Sequence, residues 1–212
     1  ISFWEDRITR GIIWCGFNTG GAVRLIPVTK NFSTNRMVSS PLNTSFVSAL
    51  VKTDDDRVWL GTNKGLLCFN KRDNSYQTVL PSSITKDGLD GDYISGLVKD
   101  ESNRLYFGSS NKIFQSEVKN DKILTREVKI ESDTELNFIR TLSAGTDGAI
   151  YAIRRYSILK LDPIAGIFKP LITQDDPARI KDQGFYYSCH YIDYYGNHWV
   201  GTSSGLELYE MK

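Results

Sequence analysis

Two adjacent arginines and a tyrosine, Arg154, Arg155 and Tyr156, interrupt the segment "YAIRRYSILKL" at a position where a tight turn is expected. A guanidinium group binds a carboxylate or sulfate through parallel hydrogen bonds, and this geometry makes arginine well suited to such anions. A tyrosine ring can stack on a sugar ring while its hydroxyl group bonds to the sugar hydroxyls. This turn therefore carries residue types that could bind an acidic oligosaccharide.

Two further polar residues lie in apolar segments that precede and follow this turn. Arg140 stands where the equivalent segments have serine, and His190 stands where they have leucine. Either side chain could contact a ligand held by the arginine turn. For His190, a hydrogen-bonded structural role on an inner strand is favoured over a ligand contact or a catalytic base.

The loop "TQDDPARIKDQGFY" is the longest connection in the second half of the chain, and it supplies the remaining candidates. These candidates are Arg179, Lys181, Tyr186 and Tyr187, which lie within this loop or directly after it. The alternative interpretation is that arginines at loop tips are solvated, or pair with nearby acids for ~0–1 kcal/mol. Binding and simple solvation both remain open at this point.

An internal repeat identifies the elements that must position these residues. Segments such as "WLGTNKGLLCF" and "WVGTSSGLELY" each begin with an aromatic anchor and continue into a glycine-containing turn. Five anchors follow one another at intervals of 45, 47, 45 and 48 residues. They are Trp14, Trp59, Tyr106, Tyr151 and Trp199. A constant period of this length indicates stacked copies of one supersecondary unit.

Each copy contains the same succession of apolar runs and turns. An alternating run such as "FVSALVK" is followed by a polar turn, the anchor strand, a second turn, a third strand and a weaker fourth strand. Alternation with period two predicts strands, and four antiparallel strands per ~45 residues are typical of a β-propeller blade. We therefore predict an all-β fold, a β-propeller of four-stranded antiparallel blades with about five blades present. In this fold the candidate residues are expected at one edge of the fourth and fifth blades.

The segment "DYYGNHWVGTSSGLELY" closely resembles the two-component regulator propeller repeat, and variants of it recur along essentially the whole chain. The resemblance implies the periplasmic sensor region of Bacteroides-type hybrid histidine kinases, in which propellers precede a transmembrane helix and a kinase. It implies an oligosaccharide ligand, anchoring in the inner membrane and regulation of a transcription response. The other blades and the kinase of the same chain are the implied partners, and a homodimer is left open.

The chain is interpreted as one propeller segment spanning residues 1–212. The expected blades are approximately 1–45, 46–92, 93–137, 138–185 and 186–212, the last of them incomplete. A seven-bladed ring at ~45 residues per blade needs roughly 315 residues, so we expect this segment to be part of such a ring. A closed five-bladed ring is the alternative.

Composition excludes several function classes. The formal net charge of +1 provides no general attraction to nucleic acid, and the apolar runs are too short to span a bilayer. The sequence contains no motif for a cofactor, a metal or a catalytic nucleophile. The acidic run 54–56 is expected to be a solvated turn, and Cys15, Cys68 and Cys189 are expected to be small buried side chains.

Three functions are consistent with these observations. The first is a non-catalytic sensor module that binds a ligand. The second is a protein-interaction scaffold, which would use aromatic-rich loops such as "QGFYYS". The third is a propeller lyase or hydrolase, for which the neighbourhood of Arg140, Arg154 and His190 is the candidate, although no carboxylate is clearly paired with it.

Overall fold

The computed structural model of the chain describes residues 2–6, 12–16, 22–25, 46–53, 56–73, 75–84, 92–131, 138–146, 148–182 and 184–210. The chain divides into two compact units, Ile1–Ile94 and Ser95–Lys212. Both units are built from antiparallel sheets.

The first unit contains a three-stranded and a four-stranded sheet. The three-stranded sheet has the order β1 (Ser2–Asp6), β2 (Ile12–Gly16) and β3 (Ala22–Leu25). The four-stranded sheet has the order β4 (Val47–Lys52), β5 (Arg57–Thr62), β6 (Gly65–Asn70) and β7 (Ser75–Val79). A single 3-10 turn at Pro81–Ser83 follows β7.

The second unit contains two four-stranded sheets and one three-stranded sheet. The first has the order β8 (Ile94–Lys99), β9 (Leu105–Ser109), β10 (Lys112–Lys119) and β11 (Lys122–Val128). The second has the order β12 (Thr141–Ala144), β13 (Ile150–Ile153), β14 (Ser157–Asp162) and β15 (Ile167–Thr173). A one-turn helix, α1 (Pro177–Lys181), leads to the last sheet, β16 (Tyr187–Ile192), β17 (His198–Thr202) and β18 (Gly205–Tyr209).

Every sheet pairs strands that are consecutive in the chain, and every pair is antiparallel. This order is that of a propeller blade, and it confirms the predicted all-β propeller fold. Tight turns connect strands two and three, and Gly65 in one of them has a φ of 114°, a conformation that favours glycine.

Hydrophobic contacts hold the sheets of the second unit together in two clusters. One cluster joins the β8–β11 sheet to the β12–β15 sheet through Tyr106, Ile113, Val128, Ile150 and Phe168, among others. The other cluster joins the β12–β15 sheet to the β16–β18 sheet through Tyr151, Ile158, Phe185, Tyr187 and Val200, among others. Each sheet is apolar on two faces, so it is stable only when neighbouring sheets cover those faces.

The anchor residues supply large buried side chains, as the repeat pattern predicts. Trp59, Tyr106 and Tyr151 are buried, and the indole Nε1 of Trp59 donates to Thr53 Oγ1 at 3.0 Å. Trp199 is only partly buried, and its Nε1 donates to Asp193 Oδ2 at 3.0 Å. The side chain of Trp14 lies outside the described residues.

The glycine two residues after an anchor permits close packing between sheets. A Cβ atom added to Gly108 would lie 2.5 Å from Ile139 Cγ2, a separation that side chains do not tolerate. Gly108 therefore allows the β8–β11 sheet to pack against the segment that enters β12.

The cysteines differ from one another. Cys68 is buried as predicted, but Cys189 is exposed, so the prediction for that residue is wrong. Its neighbours Ser188 and Tyr191 on β16 are exposed as well, which shows that this stretch of the strand is not part of the core. The side chain of Cys15 lies outside the described residues.

Candidate functional site

The arginine turn joins β13 to β14, as the alignment of the repeats predicts. Arg154 closes the turn by donating its backbone N–H to Ser157 O at 2.8 Å. Its side chain is only 4% exposed, whereas Arg155 and Tyr156 are partly exposed. The two arginines therefore do not form one exposed fork, because one of them lies in the interior.

The connection between β15 and β16 contains a short helix that sequence periodicity did not reveal. Asp176 caps α1 by accepting the backbone N–H of Ala178 at 2.9 Å, and a proline occupies the first turn. Arg179 and the exposed Lys181 lie in the last turn of the helix. Five residues are too few to show a helical period, which explains why the sequence pattern did not predict this helix.

Phe185 is the centre of the site, and it is 1% exposed. The Tyr156 ring lies parallel to it, with centroids 6.4 Å apart, and Tyr187 meets it edge-on at 5.8 Å. Arg155 Nε donates to the backbone oxygen of Phe185 at 3.0 Å, and Arg179 Cζ lies 5.1 Å from the Phe185 ring centroid. We call these five residues the Phe185 cluster; it brings together four of the nine residues predicted from sequence.

Sequence reasoning missed Phe185 itself. A phenylalanine inside a loop rich in charged residues was the available signal, since phenylalanine is among the residues most often buried. Tyr187 is also fully buried, so its ring supports the cluster from within and does not lie at the surface.

A polar chain connects the cluster to the last strand. Arg179 Nη1 forms an ion pair and hydrogen bond with Glu207 Oε1, which raises the pKa of Arg179. Tyr209 donates its hydroxyl to Glu207 Oε2 at 2.7 Å, and the Tyr187 and Tyr209 hydroxyl oxygens are 3.1 Å apart. Burial raises the pKa of both tyrosines, so both hydroxyls stay protonated at neutral pH.

Arg140 and Tyr186 form the exposed part of the site. Arg140 Cζ lies 4.1 Å from the Tyr186 ring centroid, which is cation–π geometry. Arg140 is exposed and donates its backbone N–H to Ile153 O at 2.8 Å, so it stands beside the arginine turn. The Tyr186 N–H donates to Ser203 Oγ at 3.3 Å, which fixes the tyrosine against the β17–β18 turn.

The charges at this edge are mixed. Arg179 forms an ion pair with Glu207, and its Nε lies 3.7 Å from Asp176 Oδ2. Arg179 therefore pairs with nearby acids, as in the alternative interpretation of the loop arginines. The positive charges directed to solvent are those of Arg140 and Lys181, with Arg155 partly exposed. Recognition of an anion would therefore depend on these three residues.

His190 belongs to a different group of residues, further along β16. Its Nε2 lies 2.8 Å from His198 Nδ1, and its Nδ1 lies 3.1 Å from Ser143 Oγ. The His190 ring also packs on Tyr151, with centroids 4.9 Å apart. Burial, reinforced by the neighbouring His198, lowers the pKa of His190 to about 4, so the imidazole is neutral at pH 7. These contacts agree with a structural histidine.

Other sequence features add no chemistry to the described part of the chain. Of the acidic run, Asp54 and Asp55 lie outside the described residues, and Asp56 pairs with Arg72 at 2.5 Å. Within the described ranges, no group of three or more His, Cys, Asp or Glu side chains could hold a metal ion. No described helix is long and apolar enough to cross a membrane.

The family model "Two component regulator propeller" matches residues 41–64, which include the anchor Trp59 and the Gly61-Thr62 pair. Residues 41–64 carry one copy of the two-component regulator propeller repeat. Sequence analysis predicted this family from the same pattern, and the match confirms that prediction. No curated protein sequence matches the chain significantly.

Solved structures similar to this chain show the same fold. One is the extracellular domain of the B. thetaiotaomicron hybrid two-component system BT3049, with a TM-score of 0.68 and 13% identity over 98% of this chain. Another is the extracellular domain of BT4673 from B. thetaiotaomicron, with a TM-score of 0.71 and 15% identity over 94% of this chain. The chain spans only 26% and 25% of the lengths of these two domains.

An enzyme also has this fold. Virginiamycin B lyase from Staphylococcus aureus aligns with a TM-score of 0.65 and 15% identity, over 99% of this chain and 69% of the lyase. The shared fold therefore does not decide between a sensor and an enzyme, and the residues of the site must be considered.

Proposed function

We propose that this regulator-propeller chain is a non-catalytic, extracytoplasmic segment of a hybrid two-component sensor. In this proposal it binds an oligosaccharide and thereby regulates the histidine kinase and the transcription response of the full-length protein. The full-length protein is anchored in the inner membrane with the propeller in the periplasm. The repeat and the extracellular domain of the hybrid two-component system BT3049, which has the same fold, support this assignment.

The Arg140–Tyr186 pair is the observation that carries the ligand proposal. A guanidinium 4.1 Å from a ring centroid can still donate N–H groups sideways to a carboxylate or sulfate. Tyr186 is partly exposed, and Lys181 on the same connection adds a second cation at the surface. An acidic sugar bound at this pair would meet the Tyr186 ring and the Arg140 guanidinium group.

The Phe185 cluster holds this surface in place before a ligand arrives. Phe185, in the β15–β16 connection, is buried against the arginine turn, and Arg155 bonds to its backbone oxygen. A preformed surface loses little conformational entropy on binding, so weak polar contacts suffice for measurable affinity. Because the contacts join two sheets, a bound ligand would favour one arrangement of those sheets over another, which is how a sensor reports binding.

Isothermal titration calorimetry on this chain tests the ligand proposal directly. The probes are tetragalacturonate, which is acidic, and maltotetraose, a neutral oligosaccharide of the same length. We expect salt-sensitive binding of tetragalacturonate that Arg140→Gln weakens about tenfold, as loss of a charge-assisted contact would. Lys122→Gln, an exposed residue on β11, is the matched control and leaves the affinity unchanged.

Equal binding of the neutral and acidic probes, or binding that Arg140→Gln does not alter, would contradict the ligand proposal. Arg140→Gln is preferred to a double substitution of Arg154 and Arg155, because Arg154 is buried and its loss would destabilise the fold.

The sensor assignment is tested separately on the full-length protein in membranes. Kinase autophosphorylation is measured with and without tetragalacturonate, for the natural sequence and for Arg140→Gln. We expect the probe to change the activity of the natural protein only. An unchanged rate in the natural protein, at a concentration that saturates this chain, would argue against signalling through this site.

A scaffold function is the second candidate, and one feature favours it. Tyr194 and Tyr195 lie at the tip of the β16–β17 turn and are 94% and 84% exposed. Exposed adjacent tyrosines are typical of protein-binding surfaces. Retention of a partner protein that is lost in Tyr194→Ser, while tetragalacturonate binding is unaffected, would favour this function.

A further inference from the structure

A cavity lies at the opposite ends of the strands in the second unit. It measures about 310 Å³, and its lining includes Arg104, Tyr106, Arg126, Val128, Leu161 and Ile164. Arg104 directly precedes β9, and Ile164 is in the β14–β15 turn. Because β13 and β14 are antiparallel, the β14–β15 turn is at the end of the sheet opposite to the arginine turn. The cavity is therefore separate from the Phe185 cluster.

Two guanidinium groups give the cavity its positive character. Arg104 Nε donates to Asp100 Oδ2 at 2.7 Å, and Arg126 Nη2 donates to Gln115 Oε1. Each of these bonds uses one N–H donor of a group that has five, so both groups retain donors for a ligand. The ion pair with Asp100 neutralises the charge of Arg104. The exposed side chain of Arg126 supplies the remaining positive charge.

Tyr106 lines the same cavity as the guanidinium groups of Arg104 and Arg126. Its side chain is 3% exposed and forms the inner wall of the cavity. Burial raises the pKa of Tyr106, and the charges of Arg104 and Arg126 act against that shift. Arg104 and Arg126 line the same cavity as this phenol, so one ligand placed beside Tyr106 can reach both guanidinium groups.

The remaining lining comes from β11, β14 and the β14–β15 turn. Val128 and Leu161 are buried, and Ile164, at the mouth, is 97% exposed. An exposed isoleucine beside two arginines would cover the hydrocarbon part of a ligand whose anionic end meets the guanidinium groups. A volume of about 310 Å³ is at the lower end of the range for small-molecule sites.

The residues that line a neighbouring cavity indicate where the anionic end of a ligand lies. This cavity, of about 420 Å³, shares Arg104, Leu161 and Pro163 with the first, but Asp100 and Glu101 also line it. Asp100 and Glu101 repel an anion in this neighbouring cavity, whereas Arg126 lines only the cavity at the β14–β15 turn, so the anionic end of a ligand is placed there, beside Arg104 and Arg126.

We infer that this cavity binds a small organic carboxylate, with the carboxylate between Arg104 and Arg126 and a short apolar body against Leu161 and Ile164. The site is independent of the oligosaccharide surface. A sensor segment with two sites could combine two chemical signals, one at each end of its strands.

Nuclear magnetic resonance titration of the ¹⁵N-labelled chain tests this inference. The probes are 4-methylpentanoate, its uncharged isostere 4-methylpentanol and inorganic phosphate. We expect 4-methylpentanoate to shift the amide signals of Arg104, Arg126 and residues 163–166, and the alcohol and phosphate to shift none of them. Arg126→Gln should weaken carboxylate binding about tenfold, whereas Arg140→Gln at the other site should not change it.

A second variant tests the same site in case Arg126→Gln does not fold. Ile164→Glu places a negative charge at the cavity mouth, and the residue is exposed enough for the change to leave the fold intact. It should also weaken 4-methylpentanoate binding. Phosphate binding alone, equal binding of acid and alcohol, the absence of any shift, or shifts that persist in Arg126→Gln would each overturn the inference.

Discussion

The rings of Tyr156 and Phe185 lie parallel within 1°, with their centroids 6.4 Å apart. Tyr156 comes from the β13–β14 turn and Phe185 from the connection between β15 and β16. The hydrogen bond from Arg155 Nε to Phe185 O joins the same two segments. An aromatic contact and a charged hydrogen bond therefore fix the two loops that carry most of the candidate residues.

Replacing Phe185 with alanine should remove the centre of this arrangement. The side chain is 1% exposed, so we expect a loss of about 3–5 kcal/mol in the free energy of unfolding. Urea unfolding followed by circular dichroism measures this change. Phe138→Ala is the matched control, since Phe138 is 69% exposed and its loss should cost little. Equal effects of the two substitutions would show that Phe185 does not organise the fold.

Sequence reasoning predicted the repeating strands well because each strand shows its own pattern. Alternation in "FVSALVK" and the glycine turn after Trp59 are local features, and β4–β6 form where they indicate. Trp59, Tyr106 and Tyr151 could be placed in the core because a large aromatic residue recurs at a fixed period, whereas the period did not indicate that Trp199 is only partly buried.

The same reasoning could place candidate residues at one edge but could not determine their partners. Arg154 and Arg155 are adjacent and chemically identical, yet one is buried and the other bonds to Phe185 O. The pairing of Arg179 with Glu207 joins residues 28 positions apart, and no local pattern signals it. Such contacts depend on tertiary packing, which the period of the repeat does not encode.

Gly108→Ala should destabilise the chain by about 1–3 kcal/mol, because the added Cβ would lie 2.5 Å from Ile139 Cγ2 and overpack the interface. Thermal unfolding compares it with Gly184→Ala, where the nearest atom would be the Asp182 side-chain oxygen at 3.2 Å. A Gly108→Ala protein as stable as the Gly184→Ala protein would contradict the close packing inferred at Gly108.

Stability should depend on pH through His190. Burial and His198 lower its pKa from 6.5 to about 4, so the folded state favours the neutral imidazole. The unfolded chain therefore binds more protons between these two values, and stability contributed by His190 is present above pH 6.5 and lost as pH falls towards 4. Urea midpoints measured from pH 7.5 to pH 4 should fall more steeply for the natural sequence than for His190→Gln. Parallel curves for the two proteins would contradict this assignment.

The buried hydroxyl of Tyr187 should also contribute to stability. Its oxygen lies 3.1 Å from the Tyr209 hydroxyl, which in turn bonds to Glu207. Tyr187→Phe removes one hydrogen bond and should cost about 1 kcal/mol of unfolding free energy. Tyr194→Phe, at a position that is 94% exposed, provides the control for loss of a hydroxyl. A Tyr187→Phe protein no less stable than the control would mean that the hydroxyl chain contributes nothing.

Hydrogen–deuterium exchange of this chain with tetragalacturonate tests the central claim most directly, because it locates the binding surface. We expect the probe to protect the amides of residues 154–156 and 184–187, around the Phe185 cluster and the Arg140–Tyr186 pair. Amides of residues 100–104 and 163–166, beside the carboxylate cavity, should exchange at the same rate with and without the probe. Protection elsewhere, or none at saturating probe, would contradict an oligosaccharide site at this edge.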